Sequence, residues 1–334
     1  MGRGDAYLKF YQRLFTLGSI RHGATGVEEL SGTLMPKSGT AGDGVGTAPK
    51  GSLYRDVTRG TLWVNEGTKA APYWSPVSPN QPGLYSIDAP HFFDSEGKIE
   101  SNTDTSEELT PSGWTALGDG IHETDSGVLV QTATQGDPGA LRLSSSAAAA
   151  GDLCALSTPV VSGAGIYQPD DNDMAVIDVN IASVSALTAR IIFCGFAGIV
   201  AVSETDVVTA ATTTTTLTQN DIAGLYMAST ATDADRIISA FSKAGTPGTQ
   251  DYSAITALNT GVNMPAAGTA LRFRAEVDGN GAIRLFLAKA LVYTGAAATL
   301  AVDQELNALV YVSPTTTTQA EIDILRASFY MGVS

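Results

Sequence analysis

The clearest pattern lies between residues 271 and 293. Leu271, Phe273, Ala275 and Val277 are separated by Arg272, Arg274 and Glu276. This period of two gives one strand an apolar face and a charged face. Asp278-Gly279-Asn280-Gly281 follows, with residues that tolerate the positive φ of a tight reversal. Alternation resumes at Ile283, Leu285 and Leu287. The pattern predicts a β-hairpin whose apolar face needs a second sheet to cover it. Further strands are predicted at 128–132, 141–144, 153–157, 175–181, 189–196, 199–203, 222–229, 237–242, 271–277, 283–292, 306–312 and 322–331. Short strands between Gly, Pro, Asn and Thr loops predict an antiparallel β-sandwich over 111–334. The Thr runs at 212–216 and 315–318 read as loops or edges.

The first part of the chain carries a different period. Tyr7, Phe10, Tyr11, Leu14 and Phe15 fall at i, i+3, i+4, i+7 and i+8, one face of a helix. Asp5 suits its N-cap and Gly18 its stop. An apolar stripe on three turns needs a partner, either the chain's own domain or another subunit. These five residues are the candidate partner-binding set. Residues 18–50 are rich in Gly, Ser and Thr and read as an extended arm, completing an N-terminal region of 1–50. Residues 51–76 read as a small β-module: a strand at 52–56, a turn at 58–60, a return strand at 61–65 and a second turn at 66–68. Residues 77–110, with Pro79, Pro82 and Pro90 and an acidic run after Asp94, read as a connector.

Two resemblances follow from these residues. The order Ser52-Leu53-Tyr54-Arg55-Asp56, Thr61-Leu62-Trp63-Val64, Gly67-Thr68 and Trp74 resembles a small β-module of tailed-bacteriophage virion proteins, found in head-decoration proteins and tail fibres. In that pattern Trp63 and Trp74 are aromatic contacts; core packing is the expectation, a carbohydrate platform the alternative. Residues 110–334, through MAVIDVNIASV, ARIIFCGFAG, DIAGLYMAST, the hairpin and the closing IDILRASFYMGVS, resemble the concanavalin-like jelly-roll sandwiches of phage virion proteins. The resemblance implies a mainly β, jelly-roll-like fold and a structural role in a virion.

Composition narrows the chemistry. Hydrophobic residues make up 43 % of the 334 and charged ones only 16 %, so the surface must be largely neutral and polar, as suits a protein packed against neighbours. A net charge of −15 argues against nucleic acid as a partner. No apolar run reaches the ~20 residues that span a bilayer, and Lys9 and Arg13 interrupt the place of a leader's apolar stretch, so no leader is expected. Cys154 and Cys194 lie in apolar runs and read as buried thiols, a disulfide being the alternative. His22, His91 and His122 stand singly, without zinc-ligand spacing. Asp170-Asp171-Asn172-Asp173 is the strongest oxygen-ligand run; it reads as a solvated acidic loop, with Ca²⁺ the alternative. No Gly-x-Ser-x-Gly elbow or phosphate loop is present. A paired-carboxylate glycosidase would assemble only in three dimensions.

The expectation is a non-enzymatic structural component of a phage particle, without cofactor or metal. Its type would be a capsid decoration protein, located in the virion and anchored through its N-terminal region. Its partners would be the major capsid protein or other virion proteins and further copies of itself, a trimer being one fitting state. The alternative is a tail fibre or receptor-binding protein whose sandwich binds host glycan. The absence of long repeats and heptads favours the first.

Overall fold

The computed structural model describes residues 19–22, 26–77, 84–88, 106–109, 114–117, 127–131, 140–145, 153–158, 166–184, 188–198, 208–210, 214–217, 221–231, 233, 235–241, 249–251, 258–296 and 299–333. The helix expected over 5–17, with its stripe Tyr7, Phe10, Tyr11, Leu14 and Phe15, lies outside them. So does the strand expected at 199–203. The chain divides into two compact units, Met1–Pro82 with Lys289–Leu291, and Gly83–Ala288 with Val292–Ser334. Every described residue in regular structure is in a strand, apart from one 3-10 turn at Pro169–Asp171.

The first unit is a five-stranded sheet in chain order: β1 (Ser19–His22), β2 (Val27–Gly32), β3 (Leu53–Asp56), β4 (Thr61–Asn65) and β5 (Trp74–Pro76). β2 and β3 run parallel; the other pairs are antiparallel. The module therefore starts well before residue 51, and the expected extended arm is corrected: 26–50 is folded into it. Its Gly and Ser make compact turns rather than a linker. Ser38 Oγ accepts the Trp74 backbone N–H at 3.1 Å, and the Asp43 carbonyl accepts Trp74 Nε1–H at 3.0 Å. Met35, Ala48, Tyr54, Trp63, Tyr73 and Trp74 form the buried centre. Gly44 sits at φ +76, where an added Cβ would also meet Leu30, Ala48 and Trp74.

The second unit holds β6 (Leu84–Asp88), β7 (Ser106–Leu109), β8 (Trp114–Leu117), β9 (Gly127–Gln131), β10 (Ala140–Ser144), β11 (Cys154–Ser157), β12 (Asn172–Ser183), β13 (Arg190–Ala197), β14 (Val208–Ala210), β15 (Thr214–Leu217), β16 (Ile222–Ala228), β17 (Arg236–Phe241), β18 (Thr249–Asp251), β19 (Asn259–Asn263), β20 (Ala270–Asp278), β21 (Ile283–Leu287), β22 (Ala290–Thr294), β23 (Asn307–Pro314) and β24 (Glu321–Val333). One sheet has the order β22-β21-β20-β12-β24-β10-β9, with β6 also paired to β24. The other has the order β19-β17-β16-β13-β23-β11-β8-β7. The chain crosses between sheets from β10 to β13, leaving gaps that β23 and β24 later fill. That wrapping is the jelly-roll topology, and it closes the sandwich only when the last strands arrive.

Between the sheets lies one core. Ala175, Ile177, Val179 and Ile181 of β12 and Phe273, Ala275 and Val277 of β20 face Ile192, Cys194 and Phe196 of β13 and Ala308, Val310 and Val312 of β23. β24 changes face midway. Ile322 and Ile324 point inward, and so do Ala327 and Phe329, because Leu325 is the extra residue of a bulge opposite Asn180/Ile181. The second sheet is apolar on its outer face too, where Phe193, Tyr226, Ile238 and Tyr311 join Leu217 of β15 and Leu258. This explains the unbroken apolar run IIFCGF, since a strand buried on both sides need not alternate. Gly224 is required there: a Cβ would stand 2.7 Å from the Phe193 ring.

Three sequence boundaries are corrected. The stretch 77–110 is not solely a connector, for β6 and β7 within it pair with β24 and β8. The strand expected at 283–292 is two, reversed at Ala288 and Lys289 with φ of 46° and 73°, the backbone of a primed hairpin turn built without glycine. Thr214–Leu217 of the first Thr run is the central strand of a small sheet, β14-β15-β18.

Candidate functional site

Apolar residues on β12, β20 and β24 face the core, so their alternates share the outer face of the first sheet. Here the charged positions of the hairpin gather. Asp178 of β12 pairs in register with Arg274 of β20, and Arg274 with Phe286 of β21. One step along, Val176 stands beside Glu276, and Glu276 beside Arg284. Cross-strand neighbours on one face are close enough for side chains to meet.

Those side chains form a continuous ionic lattice. Asp178 accepts from Arg272 Nε and Nη2 at 2.7 and 2.6 Å and from Arg274 Nη1 at 3.4 Å. Glu276 Oε1 accepts from Arg274 Nε at 2.9 Å and pairs with its Nη2 at 2.7 Å, while Oε2 accepts from Arg284 Nε at 2.9 Å. Arg284 also stands 3.5 Å from Asp278. The Arg274 guanidinium lies 6.0 Å from the Phe286 ring centre and 5.6 Å from that of Tyr330, a cation–π arrangement on both rings. Arg274 and Glu276 are 1 % and 0 % exposed. The face read as charged is thus buried at its centre. Burial pushes the Tyr330 hydroxyl well above the usual phenol range.

The lattice gives Asp178 and Glu276 two guanidiniums each. Such pairing occupies a carboxylate's lone pairs, which suits register and rigidity rather than proton transfer. Sequence reasoning named none of these residues as a site. One signal was present: Asp178 is a lone acid in the apolar run MAVIDVNIASV, and a buried charge requires a partner.

The other singled-out residues sit apart from the lattice. Asp170 and Asp171 lie in the 3-10 turn, with Asp170 accepting from Gln168 Nε2 at 2.6 Å. No group of three or more His, Cys, Asp or Glu is disposed to hold a metal among the described residues. Cys154 and Cys194 are free, buried thiols facing the core, and burial pushes Cys154 up to about 12. Trp63 and Trp74 are 2 % and 0 % exposed, packed as core residues with no face open to stack on a sugar. His22 is in β1; His91 and His122 lie outside the described residues. No helix among the described residues is long and apolar enough to cross a membrane.

No family description matches this sequence, and no curated protein matches it. Solved structures resemble it in architecture. A protein of unknown function from Shewanella oneidensis MR-1 is 14 % identical at a TM-score of 0.42, over 75 % of this chain and 87 % of the other. The carbohydrate recognition domain of Emp46p, in a potassium-bound form, is 11 % identical at 0.38, over 71 % and 96 %. A glycoside hydrolase family 16 endo-glucanase from Bacteroides ovatus is 11 % identical at 0.41, over 73 % and 99 %. At these levels no ligand or reaction follows for this chain.

Proposed function

We propose that this chain is a non-enzymatic structural component of a tailed-bacteriophage particle, of the capsid-decoration type. The N-terminal region anchors it in the virion; its partners are the major capsid protein or other virion proteins and further copies of itself. The observation that carries the non-enzymatic reading is the ionic lattice. Its buried carboxylates, Asp178 and Glu276, are each held between two arginines, and a glycosidase pair needs one carboxyl free to give a proton and another free to attack or activate water. The virion reading is supported by the likeness of 51–76 to the phage module and by a surface poor in charge.

Removing residues 1–18 tests the anchor while leaving β1 in place. Particles assembled with the truncated chain should lose it on purification, and the purified chain should keep its β-rich circular dichroism. Full occupancy by the truncated chain would overturn the anchor. Turnover of a polysaccharide by the purified protein, abolished by Glu276→Gln at unchanged fold, would overturn the non-enzymatic reading.

A further inference from the structure

The turn between β20 and β21 holds the one Asn-Gly step in the sequence, Asn280-Gly281. Glycine has no side chain to shield its amide nitrogen, so that nitrogen can reach the preceding Asn side-chain carbonyl and close a five-membered ring. Asn280 is exposed and Gly281 is buried. The carboxamide is thus open to water, while the nitrogen that would attack it is enclosed.

Hydrogen bonds hold that nitrogen in place. Asp278 Oδ1 accepts the backbone N–H groups of Asn280 at 3.0 Å and Ala282 at 3.1 Å. The Asp278 carbonyl accepts the Gly281 N–H at 2.9 Å, and the Asp278 N–H donates to the Ala282 carbonyl at 3.0 Å. Neighbouring segments fix the turn as well: the Gly279 N–H donates to the Asp173 carbonyl at 2.7 Å, and the Leu300 N–H to the Gly281 carbonyl at 3.0 Å. Gly281 sits at φ +70, where a Cβ would stand 2.4 Å from the Leu300 carbonyl oxygen. Attack on Asn280 therefore requires the Gly281 N–H to leave Asp278 and its peptide to turn, and the packing against Leu300 opposes that movement.

We propose that Asn280 is a site of self-modification, and that the native turn holds the reaction back until the hairpin opens. Solvent base takes the Gly281 amide proton, and the nitrogen bonds to the Asn280 side-chain carbonyl carbon. The carbon–NH₂ bond breaks and ammonia leaves. Water then opens the cyclic imide at either carbonyl, giving an aspartyl or an isoaspartyl residue. Water is consumed and ammonia released, with no other reactant. Both products place a new carboxylate in the turn that carries Asp278. The isoaspartyl form also adds a methylene to the main chain, which displaces Gly281 from the positions that Asp278 and Leu300 fix. Modified chains should therefore melt at lower temperature.

The test keeps the full chain at neutral pH, with and without urea. Trypsin cleavage after Arg274 and Arg284 isolates residues 275–284; mass spectrometry reads the exchange of NH₂ for OH, and chromatography separates the isoaspartyl form. Conversion should run about tenfold or more slower in native buffer than in denaturing urea, because only the opened turn reacts. The rate should climb with urea before global unfolding begins. Asp278→Ala removes the side-chain clamp and should raise the native rate about tenfold or more. Asn280→Gln should show no conversion over the same period. Equal rates with and without urea overturn the restraint. A rate that stays flat up to global unfolding overturns the role of hairpin opening, and needs no variant that folds. Conversion at another Asn before Asn280 in urea, or none at Asn280, overturns the site.

Discussion

Asn65 shows how much a single residue carries in the small unit. Its Nδ2 donates to the Ala48 carbonyl at 2.7 Å, and its Oδ1 accepts the backbone N–H groups of Gly67 and Tyr73 at 2.8 Å each. The side chain is fully buried, so Asn65→Ala leaves two buried backbone groups, of Ala48 and Tyr73, and the half-buried Gly67 N–H without it and should cost about 2–4 kcal/mol. Urea unfolding followed by Trp63 and Trp74 fluorescence measures this; a loss under about 1 kcal/mol would mean water replaces the amide. Asp56 works similarly, accepting the N–H groups of Thr58 and Arg59 and pairing with the Arg59 guanidinium at 2.8 Å. In the lattice, Glu276→Gln takes the negative charge from Arg274 and Arg284 together. Breaking a buried pair from one side costs about 3–5 kcal/mol, so this variant should unfold at markedly lower urea, with Arg274→Met less damaging in combination than the two singles summed. Additive effects would show that the two side chains act independently.

At the scale of the element, the β24 bulge keeps one face of the closing strand turned to the core. Asn180 pairs with Arg326 and Ile181 with Ile324, so Leu325 is passed over. Deleting Leu325 leaves Ile322, Ile324, Ala327 and Phe329 in strict alternation on the core side, so that variant should stay soluble and melt cooperatively. Deleting Asp323 instead puts Ile322 and Ile324 on opposite faces at a cost of several kcal/mol, on the order of a domain's whole stability, and should give insoluble protein or no cooperative melt. The reverse outcome for the two deletions would place the register elsewhere. Phe273 and Leu285, both inward and 1 % or less exposed, give the companion test: Phe273→Asp or Leu285→Asp should prevent folding by burying an unpaired carboxylate. The hairpin carrying them was legible because turn residues and strict alternation agree. The reversal at Ala288-Lys289 was not, because neither residue announces positive φ.

For the whole molecule, the buried titratable groups set a direction for pH. Burial raises the Cys154 thiol from 9.0 to about 12 and also raises Cys194, Tyr167 and Tyr330. In the unfolded chain these groups lose their protons earlier, so the unfolded state is the one favoured by base. The stability they contribute is full below about 9 and falls as pH rises from there through about 12. Melting temperature should therefore fall across that window, and less steeply in Cys154→Ala. A flat profile would mean the thiols reach solvent in the native state.

The sequence by itself determined which residues face inward on β20 and β21, because a period of two is a local property of the chain and needs no partner to be read. It also determined the aromatic centre of the small module, where turns and Trp positions lie within 26 residues. Only the tertiary structure decided that 26–50 belongs to that module, since β2 joins β3 in parallel across a long connection and composition alone cannot separate a folded turn from a free arm. Only it decided that the charged face is a buried lattice. Asp178 and Arg272 are 94 residues apart, and whether a charge is solvated or paired depends on the strand that register places beside it, which no local pattern encodes.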